Sequence, residues 1–296
     1  MPKRKLLLFV LIATLSALPL WADHFADFYV LPVASHTSGV GSSMWMTDTS
    51  IQNFSSSPLN LQFLFIESGE GNSENVSNLV STALPDGALT IPAGGSVVVK
   101  DILAGYTGSN GGSLGAVMVS GDRAFAVTSR AYVNAPGGGT YGQTVPPVRD
   151  FIDNTIGDTN NALSVAYVPG LVHNAAYRTN LGFVAGAGLT GMVIEIRVKG
   201  ADGTTTGTRT FSIPANQFVQ VQFSASSLTP APIDAGAAEF RITGGDGAVA
   251  PYASVIDNVS HDAVFISSVF PPNAAFTKMG LSDSLFRRLA ASYLRH

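Results

Sequence analysis

The sequence predicts an all-β protein: two tandem antiparallel β-sandwich domains related by internal duplication, with a short C-terminal helix. Three observations lead to this prediction. Short alternating segments rich in Val, Ile, Thr and Phe recur along the chain, and glycine-rich turns separate them, as is typical of strands. No convincing helical periodicity lies between these segments. The same landmarks also occur twice in the same order.

The duplication rests on four landmarks. Residues 31–36 return as 168–173, 45–51 as 177–183, 91–93 as 213–215, and 121–126 as 245–250. The spacing of roughly 120 to 140 residues is that of a whole domain and not of a solenoid repeat. The repeat therefore predicts two copies of one folding unit.

The first 22 residues have the pattern of a signal peptide. A basic start, Lys3-Arg4-Lys5, precedes an apolar stretch over 6–18, and a candidate cleavage point lies before Asp23. The alternative is a retained N-terminal anchor. The pattern favours export, and we expect the protein outside the cell, on its surface or in the periplasm. With no cysteine, the chain has no disulfide, no thiolate metal site and no cysteine nucleophile.

Alternation of polar and apolar residues justifies the strands of each half. Residues 60–65 and 193–198 alternate at period two, and Asp202-Gly203 is a strong hairpin signal. We expect a first sandwich over 23–148, a linker over 149–163 and a second sandwich over 164–272. The alternative is one larger assembly in which the halves share a sheet. Only the first half carries the insertions 37–42 and 69–81, where specialised function could lie.

The tail, residues 273–296, differs from the rest of the chain. Its apolar residues fall at helical spacing, with arginines elsewhere on the wheel. One interpretation is a helix that covers an open end of the second sandwich. The other is a basic amphipathic helix that docks on an acidic partner or an anionic membrane. The docking residues would be Phe286, Arg287, Arg288 and Tyr293.

Charge limits the partners. The net charge is −4 and the basic residues concentrate at the two ends, so the body of the chain is acidic. An acidic body argues against nucleic-acid binding, which needs a positive surface. We expect an extracellular or cell-surface protein or polysaccharide as partner, with self-association possible. No stretch after the signal is long and apolar enough to span a membrane.

Three aromatic residues are candidates for ligand binding. Trp45 and Tyr177 occupy equivalent positions in the two copies, and Tyr141 follows a glycine run. An exposed aromatic ring can stack on a sugar, whereas a single large ring in a sandwich is more often part of the core. His36 and His173 are also equivalent, and we expect each to be a hydrogen-bonded structural residue near a strand end.

Signals for metal or catalysis are weak. Asp150, Asp153 and Asp158 crowd the linker and could bind calcium, although a solvated linker is the simpler interpretation and no EF-hand spacing is present. No other cofactor is expected. The nucleophile elbow, the His-Glu-x-x-His pair, the Walker loop and the dinucleotide fingerprint are missing.

Four segments are informative together: the entry segment 29–36, the strand 45–53, the turn 91–96 and the strand 129–132. They resemble a poorly characterised class of paired β-sandwich modules in exported bacterial proteins. The resemblance covers roughly residues 28–272. It implies a secreted, immunoglobulin-like architecture, but it supplies no activity or binding residues that carry over to this chain. We therefore expect a non-enzymatic structural or adhesion protein that acts through the loops and edges of its sandwiches. The alternatives are a carbohydrate-binding protein and, less favoured, a secreted hydrolase.

Overall fold

The computed structural model describes residues 26–40, 43–69, 76–107, 113–148, 152–154 and 165–269, with only the backbone of 152–154. These residues form two antiparallel sheets, each curled around its own core, and no α-helix lies among them. The all-β fold class is confirmed. The signal sequence, most of the linker and the tail with its predicted helix lie outside the described residues.

The first sheet, in the first unit (residues 26–148), has nine strands. They are β1 Ala26–Ser35, β2 Thr37–Ser38, β3 Met44–Gln52, β4 Leu59–Glu67, β5 Val76–Asn78, β6 Ala88–Ile91, β7 Ser96–Val99, β8 Leu114–Asn134 and β9 Thr140–Val145. Strand β8 is central, because β1, β3, β4 and β9 all pair with it. Strands β5 and β6 pair with β4, and strands β2 and β7 pair with β3.

The second sheet has seven strands, of which six belong to the second unit (residues 165–269) and one, β10, to the linker. They are β10 Ile152–Asn154, β11 Val165–His173, β12 Tyr177–Lys199, β13 Thr205–Ile213, β14 Phe218–Ser224, β15 Ile233–Asp257 and β16 Ala263–Ser267. Strand β15 is central and pairs with β10, β11, β12 and β16. Strands β13 and β14 pair with successive parts of β12.

The strand pairings confirm the duplication. Pairing of β1 with β8 corresponds to β11 with β15, and pairing of β8 with β9 corresponds to β15 with β16. Strands β3 and β4 together correspond to the single strand β12, so their pairings with β7, β6 and β8 match those of β12 with β14, β13 and β15. Among the described strands, β2 and β5 of the first sheet and β10 of the second have no counterpart, and β2 and β5 lie at the insertions noted in the first half.

Three strands are longer than the sequence predicted. Strands β8, β12 and β15 have 21, 23 and 25 residues, whereas the pattern divides each into two segments. The Gly-Asp pairs at 121–122 and 245–246 lie within continuous strands, and register shifts between β12 and β15 fall beside the second pair. A bulge at such a point bends a strand without ending it, so one strand can serve both layers of the curled sheet.

Each unit has its own apolar core. In the first unit Leu31, Phe63, Phe65, Val119 and Phe125 are fully buried. The second unit has a corresponding core. Its largest members include Leu181, Phe183, Ile194, Ile196 and Phe240. Burial of these alternating side chains stabilises each unit, at about 25 cal/mol per Å² of apolar surface.

A third apolar cluster joins the two units. From the first unit it takes Phe28, Val30, Leu64, Ile66, Val76, Ala116 and Met118, and from the second Val184, Phe218, Ala248 and Ala250. A fourth cluster places Tyr252 of the second unit against Val33, Ala131 and Val145 of the first. Because these side chains are nearly all excluded from water, the two units are packed together as one body.

Hydrogen bonds also cross between the units. The backbone N–H of Gly69 donates to the carbonyl oxygen of Gln220 at 2.9 Å, beside a parallel bridge between Ser68 and Gln220. The Ser254 hydroxyl donates to Gln143 Oε1 at 2.8 Å, and both side chains are buried. These bonds give the interface a fixed register in addition to its apolar contact.

Candidate functional site

The candidate site is the outward surface of β3, β7 and β8 in the first unit. Alternation along the strands places one set of side chains in the core and the other set outside. Thr49, Val99 and Val127 are buried. The side chains that alternate with the buried ones along these strands lie on the outer surface, which we term the open face. It consists of Met44, Met46, Asp48, Ser50, Val98, Thr128, Arg130 and Tyr132.

The equivalent surface of the second unit is not open. Ser50 pairs with Val98 on one side and Thr128 on the other, and Gly182 pairs in the same way with Gln222 and Tyr252. Tyr252 is 1% exposed and lies in the interface with the first unit, and Val184 and Ala250 beside it are also buried there. Within the part of the chain that the structure describes, one face of the duplicated unit is thus covered in the second copy and uncovered in the first.

Local sequence explains this difference. A Cβ atom on Gly182 would lie 2.4 Å from the Tyr252 ring, so only glycine leaves room for the tyrosine to cross β12. The Tyr252 hydroxyl accepts from Gln220 Nε2 at 2.6 Å and donates to Gln222 Oε1 at 3.2 Å. Burial raises the pKa of Tyr252, so the phenol stays protonated. In the first copy Ser50 and Thr128 occupy the positions equivalent to Gly182 and Tyr252, and both side chains are small and polar.

A polar network occupies one end of the open face. Asp48 accepts hydrogen bonds from Lys100 Nζ at 2.6 Å, from the Asp101 N–H at 2.9 Å and from the Tyr132 hydroxyl at 3.1 Å. Partial burial favours a higher pKa for Asp48, but these bonds outweigh it and lower the pKa. Partial burial, and after it the Asp48 charge, raises the pKa of Tyr132. The carboxylate is therefore held ionised and well satisfied.

His36 continues this network. Its Nδ1 lies 2.8 Å from Asp101 Oδ2, and its side chain is 35% exposed. Asp101 has φ +42°, a left-handed conformation that a residue other than glycine rarely adopts. The strained turn brings the carboxylate to the imidazole while the Asp101 N–H reaches Asp48. The imidazole nitrogen Nδ1 thereby joins His36 to the Asp48 network through Asp101.

The second unit lacks this network. Its positions equivalent to Asp48, Lys100, Asp101 and Tyr132 hold Asn180, Ser224, Ala225 and Ile256. Sequence reasoning missed the asymmetry because its members are separated by as many as 84 residues. The available signal was the replacement of Lys100-Asp101 by Ser224-Ala225 after equivalent strands.

Both histidines are hydrogen-bonded near strand ends, as the sequence predicted. His36 follows β1, and His173 ends β11, where its Nδ1 accepts a hydrogen bond from the Thr179 N–H at 3.0 Å. The buried threonine hydroxyls beside them, on Thr47 and Thr179, bond the same strand ends. Each copy therefore uses a His-Thr pair to close the end of its first strand.

The open face also carries apolar and aromatic groups. Met44 is 41% exposed and Val98 is 49% exposed. The Arg130 guanidinium lies over the Tyr132 ring, 5.3 Å from its centroid. Met, Tyr and Arg are the residue types enriched at protein–protein interfaces. The face can therefore offer apolar contact around a fixed polar centre.

The predicted ligand-binding aromatics are not brought together as one set. Trp45 is half-buried and packs against the cluster that contains Val33 and Tyr252. Tyr141, on β9, is 39% exposed, and Tyr177, at the start of β12, is 40% exposed. Trp45 and Tyr177 lie in different units. Tyr141 and Tyr177 remain accessible to a ligand, whereas Trp45 contributes to the joint between the units.

Other predicted sites lie outside the described residues. This is so for Asp150, Asp158 and the side chain of Asp153, and for Phe286, Arg287, Arg288 and Tyr293. Within the part of the chain that is described, no group of three or more His, Asp or Glu side chains is placed to hold a metal ion. No helix in that part is long and apolar enough to cross a membrane.

Comparison of the chain with protein-family models, with curated proteins and with solved structures finds no match.

Proposed function

We propose that this is an exported, non-enzymatic structural or adhesion protein whose open face docks a β-sheet surface of a partner protein outside the cytoplasm. One observation carries the proposal: the equivalent face of the second copy is covered by a β-sheet surface, that of the first unit. Since the copies share their strand pairings, a surface that receives a sheet in one copy is the natural place for a sheet in the other.

The composition of the open face supports a partner of mixed polarity. Asp48, Arg130 and Tyr132 form a polar centre, and Met44 and Val98 are exposed beside it. In stable interfaces a few aromatic and Arg residues carry most of the binding free energy, within a surrounding polar rim. Tyr132, held by its bond to Asp48, loses little side-chain entropy on binding.

The joint between the units supports a scaffolding role. Burial of side chains from both units at one interface keeps the open face in a fixed position relative to the second unit. A rigid platform can transmit a mechanical load between a partner on the open face and contacts made elsewhere on the molecule.

Capture of partners by immobilised protein tests this proposal. The exported protein, its Tyr132→Ala and Arg130→Ala variants, and a Thr208→Ala control on the exposed side of β13 are incubated with the extracellular fraction of the host. We expect a partner captured by the wild type and the control to be lost at least tenfold with each open-face variant. A captured set that both variants leave unchanged would contradict the proposal. If the partner is a second copy, sedimentation velocity of the purified protein detects it and the same variants abolish it.

A further inference from the structure

Beyond protein docking, we propose that a cleft beside β5 in the first unit binds a neutral saccharide. The cleft has a volume of about 460 Å³, which lies within the range of small-molecule sites. Its lining includes Ser77, Asn78, Val80, Ser81, Tyr106 and Thr107. None of these residues belongs to the open face, so the two proposals are independent.

The strand that forms one side of the cleft occurs only in the first copy among the described residues. Strand β5 comes from the insertion 69–81 and pairs with β4 through Ser77 opposite Phe65 and Asn78 opposite Leu64. The matching part of β12 has no counterpart of this strand among the described residues. An element added to one of two copies, and forming a cleft there, is a reason to expect a function that the other copy lacks.

The walls of the cleft are anchored. The Leu79 N–H donates to the Phe63 carbonyl oxygen at 3.0 Å, and the Thr82 N–H donates to the Ala104 carbonyl oxygen at 2.8 Å. Leu79 and Leu103 are fully buried beneath the surface. The polar groups are therefore carried on a fixed backbone, which reduces the entropy lost when a ligand binds.

The chemistry of the lining selects the ligand. Hydroxyl groups on Ser77, Ser81, Tyr106 and Thr107 and the amide of Asn78 can both donate and accept. The described lining residues carry no charge, so the lining itself offers no ion-pair partner to an anion or a metal ion. Val80, 49% exposed, and Pro85 offer apolar surface to the C–H groups of a sugar ring. A neutral polyhydroxylated ligand matches this combination.

Tyr106 is the central group. Its hydroxyl lies 2.8 Å from Ser77 Oγ, and its ring packs edge-on against Phe65 with centroids 4.8 Å apart. Burial raises the pKa of Tyr106; the Ser77 bond acts the other way, and the Glu67 charge adds to the rise. The phenol thus remains a neutral donor and acceptor at physiological pH, in an orientation that Phe65 and Ser77 fix.

Binding to a printed array of neutral and charged glycans, followed by calorimetric titration of the strongest neutral hit, tests the proposal. The full chain is compared with Tyr106→Phe, with the double variant Tyr106→Phe/Ser77→Ala, and with Tyr167→Phe as a matched loss of a phenol hydroxyl in the second unit. We expect the double variant to bind at least tenfold more weakly, Tyr106→Phe to be intermediate, and the control to match the wild type.

Three results would overturn the saccharide site. They are the absence of glycan binding, binding that the cleft variants leave unchanged, and preference for sulfated or sialylated glycans. A Tyr132→Ala variant separates this proposal from the docking proposal, because it should bind the glycan normally while it loses the protein partner. A thermal melt of each variant confirms that it is folded.

Discussion

Single residues determine which copy of the duplicated face is covered. Gly182 and Tyr252 lie side by side in the buried copy, and Ser50 and Thr128 take their places in the open copy. A serine at position 182 would collide with the ring that fills the interface. The packing of the two units therefore depends on the absence of a side chain at Gly182 and on the large ring of its neighbour Tyr252.

Gly182→Ala should destabilise the protein. The added methyl group would lie 2.4 Å from the Tyr252 ring, which must move within a packed interface. Such overpacking costs about 1–3 kcal/mol. Urea unfolding of the full chain measures the loss. The matched control is Ser50→Ala at the equivalent open position, which should stay within about 0.5 kcal/mol of the wild type. Equal effects at the two positions would show that the faces are not differently buried.

The Asp48 network should make stability depend on pH in the acid range. Because the folded pKa of Asp48 lies below its ordinary value of 3.8, the stabilisation is fully present above that value. It is lost as the pH falls through the lower, folded pKa. The free energy of unfolding of Asp48→Asn should thus fall less steeply below about pH 4 than that of the wild type. Parallel pH profiles from urea titrations would argue against this network.

The histidines and their network show what the sequence can predict at this scale. His36 and His173 were predictable as structural residues because each belongs to a repeated landmark next to a strand end. The Asp101 carboxylate and the Tyr132 hydroxyl were not, because they reach His36 and Asp48 across 65 and 84 residues. Such contacts follow from strand register, which a single sequence does not specify.

At the scale of elements, the period-two pattern located the strands but not their ends. Residues 60–65 and 193–198 lie within β4 and β12 as predicted, and Asp202-Gly203 forms the turn into β13. Glycine next to aspartate signals a turn in most contexts. Within β8 and β15 the same pair lies where a long strand bends, and local sequence does not distinguish a bend from a reversal.

An ion-pair ladder stabilises the outer surface of β12 and β15. The Glu239 side chain is 3% exposed, and it lies 2.6 Å from Lys199 Nζ, 3.1 Å from Arg241 Nη2 and 3.7 Å from Arg197 Nη1. Burial alone would raise the pKa of Glu239, but the Lys199 and Arg241 contacts outweigh it and lower the pKa. The carboxylate is the common partner of three cations.

Glu239→Gln should destabilise the second unit by about 2 kcal/mol, because it leaves the three cations around a neutral group. The loss is limited because the cations remain partly hydrated. Urea unfolding at low salt measures the change. Glu195→Gln is the matched control. Its carboxylate is 22% exposed and lies 2.6 Å from Arg197, so it should cost clearly less. If the two variants were equally stable, the ladder would have no dominant member.

The whole molecule is a head-to-tail pair. The first unit contributes the outer surface of β1, β4 and β8 to the joint, whereas the second contributes the outer surface of β12, β14 and β15. Different surfaces meet, so the contact is heterologous, and among the described residues one face of each type stays uncovered. The uncovered face of the second unit carries the Glu239 ladder, and that of the first carries the Asp48 network.

The sequence was sufficient to predict two copies but not how they pack. Repeated landmarks identify one folding unit, because each copy must build the same core. The relative placement of the copies depends on residues that differ between them, such as Phe28, Leu64 and Ile66 in one and Val184 and Phe218 in the other. The remaining signal in the sequence is the set of apolar residues at outward strand positions that differ between the copies.

Native-state hydrogen exchange of the full chain in increasing urea shows whether the two units form one body through a buried copy of the duplicated face. We expect the protected amides of 116–119 in β8 and 249–253 in β15 to exchange through one common opening, with the same free energy and the same dependence on urea. Complete exchange of one unit while the other stays fully protected would contradict it.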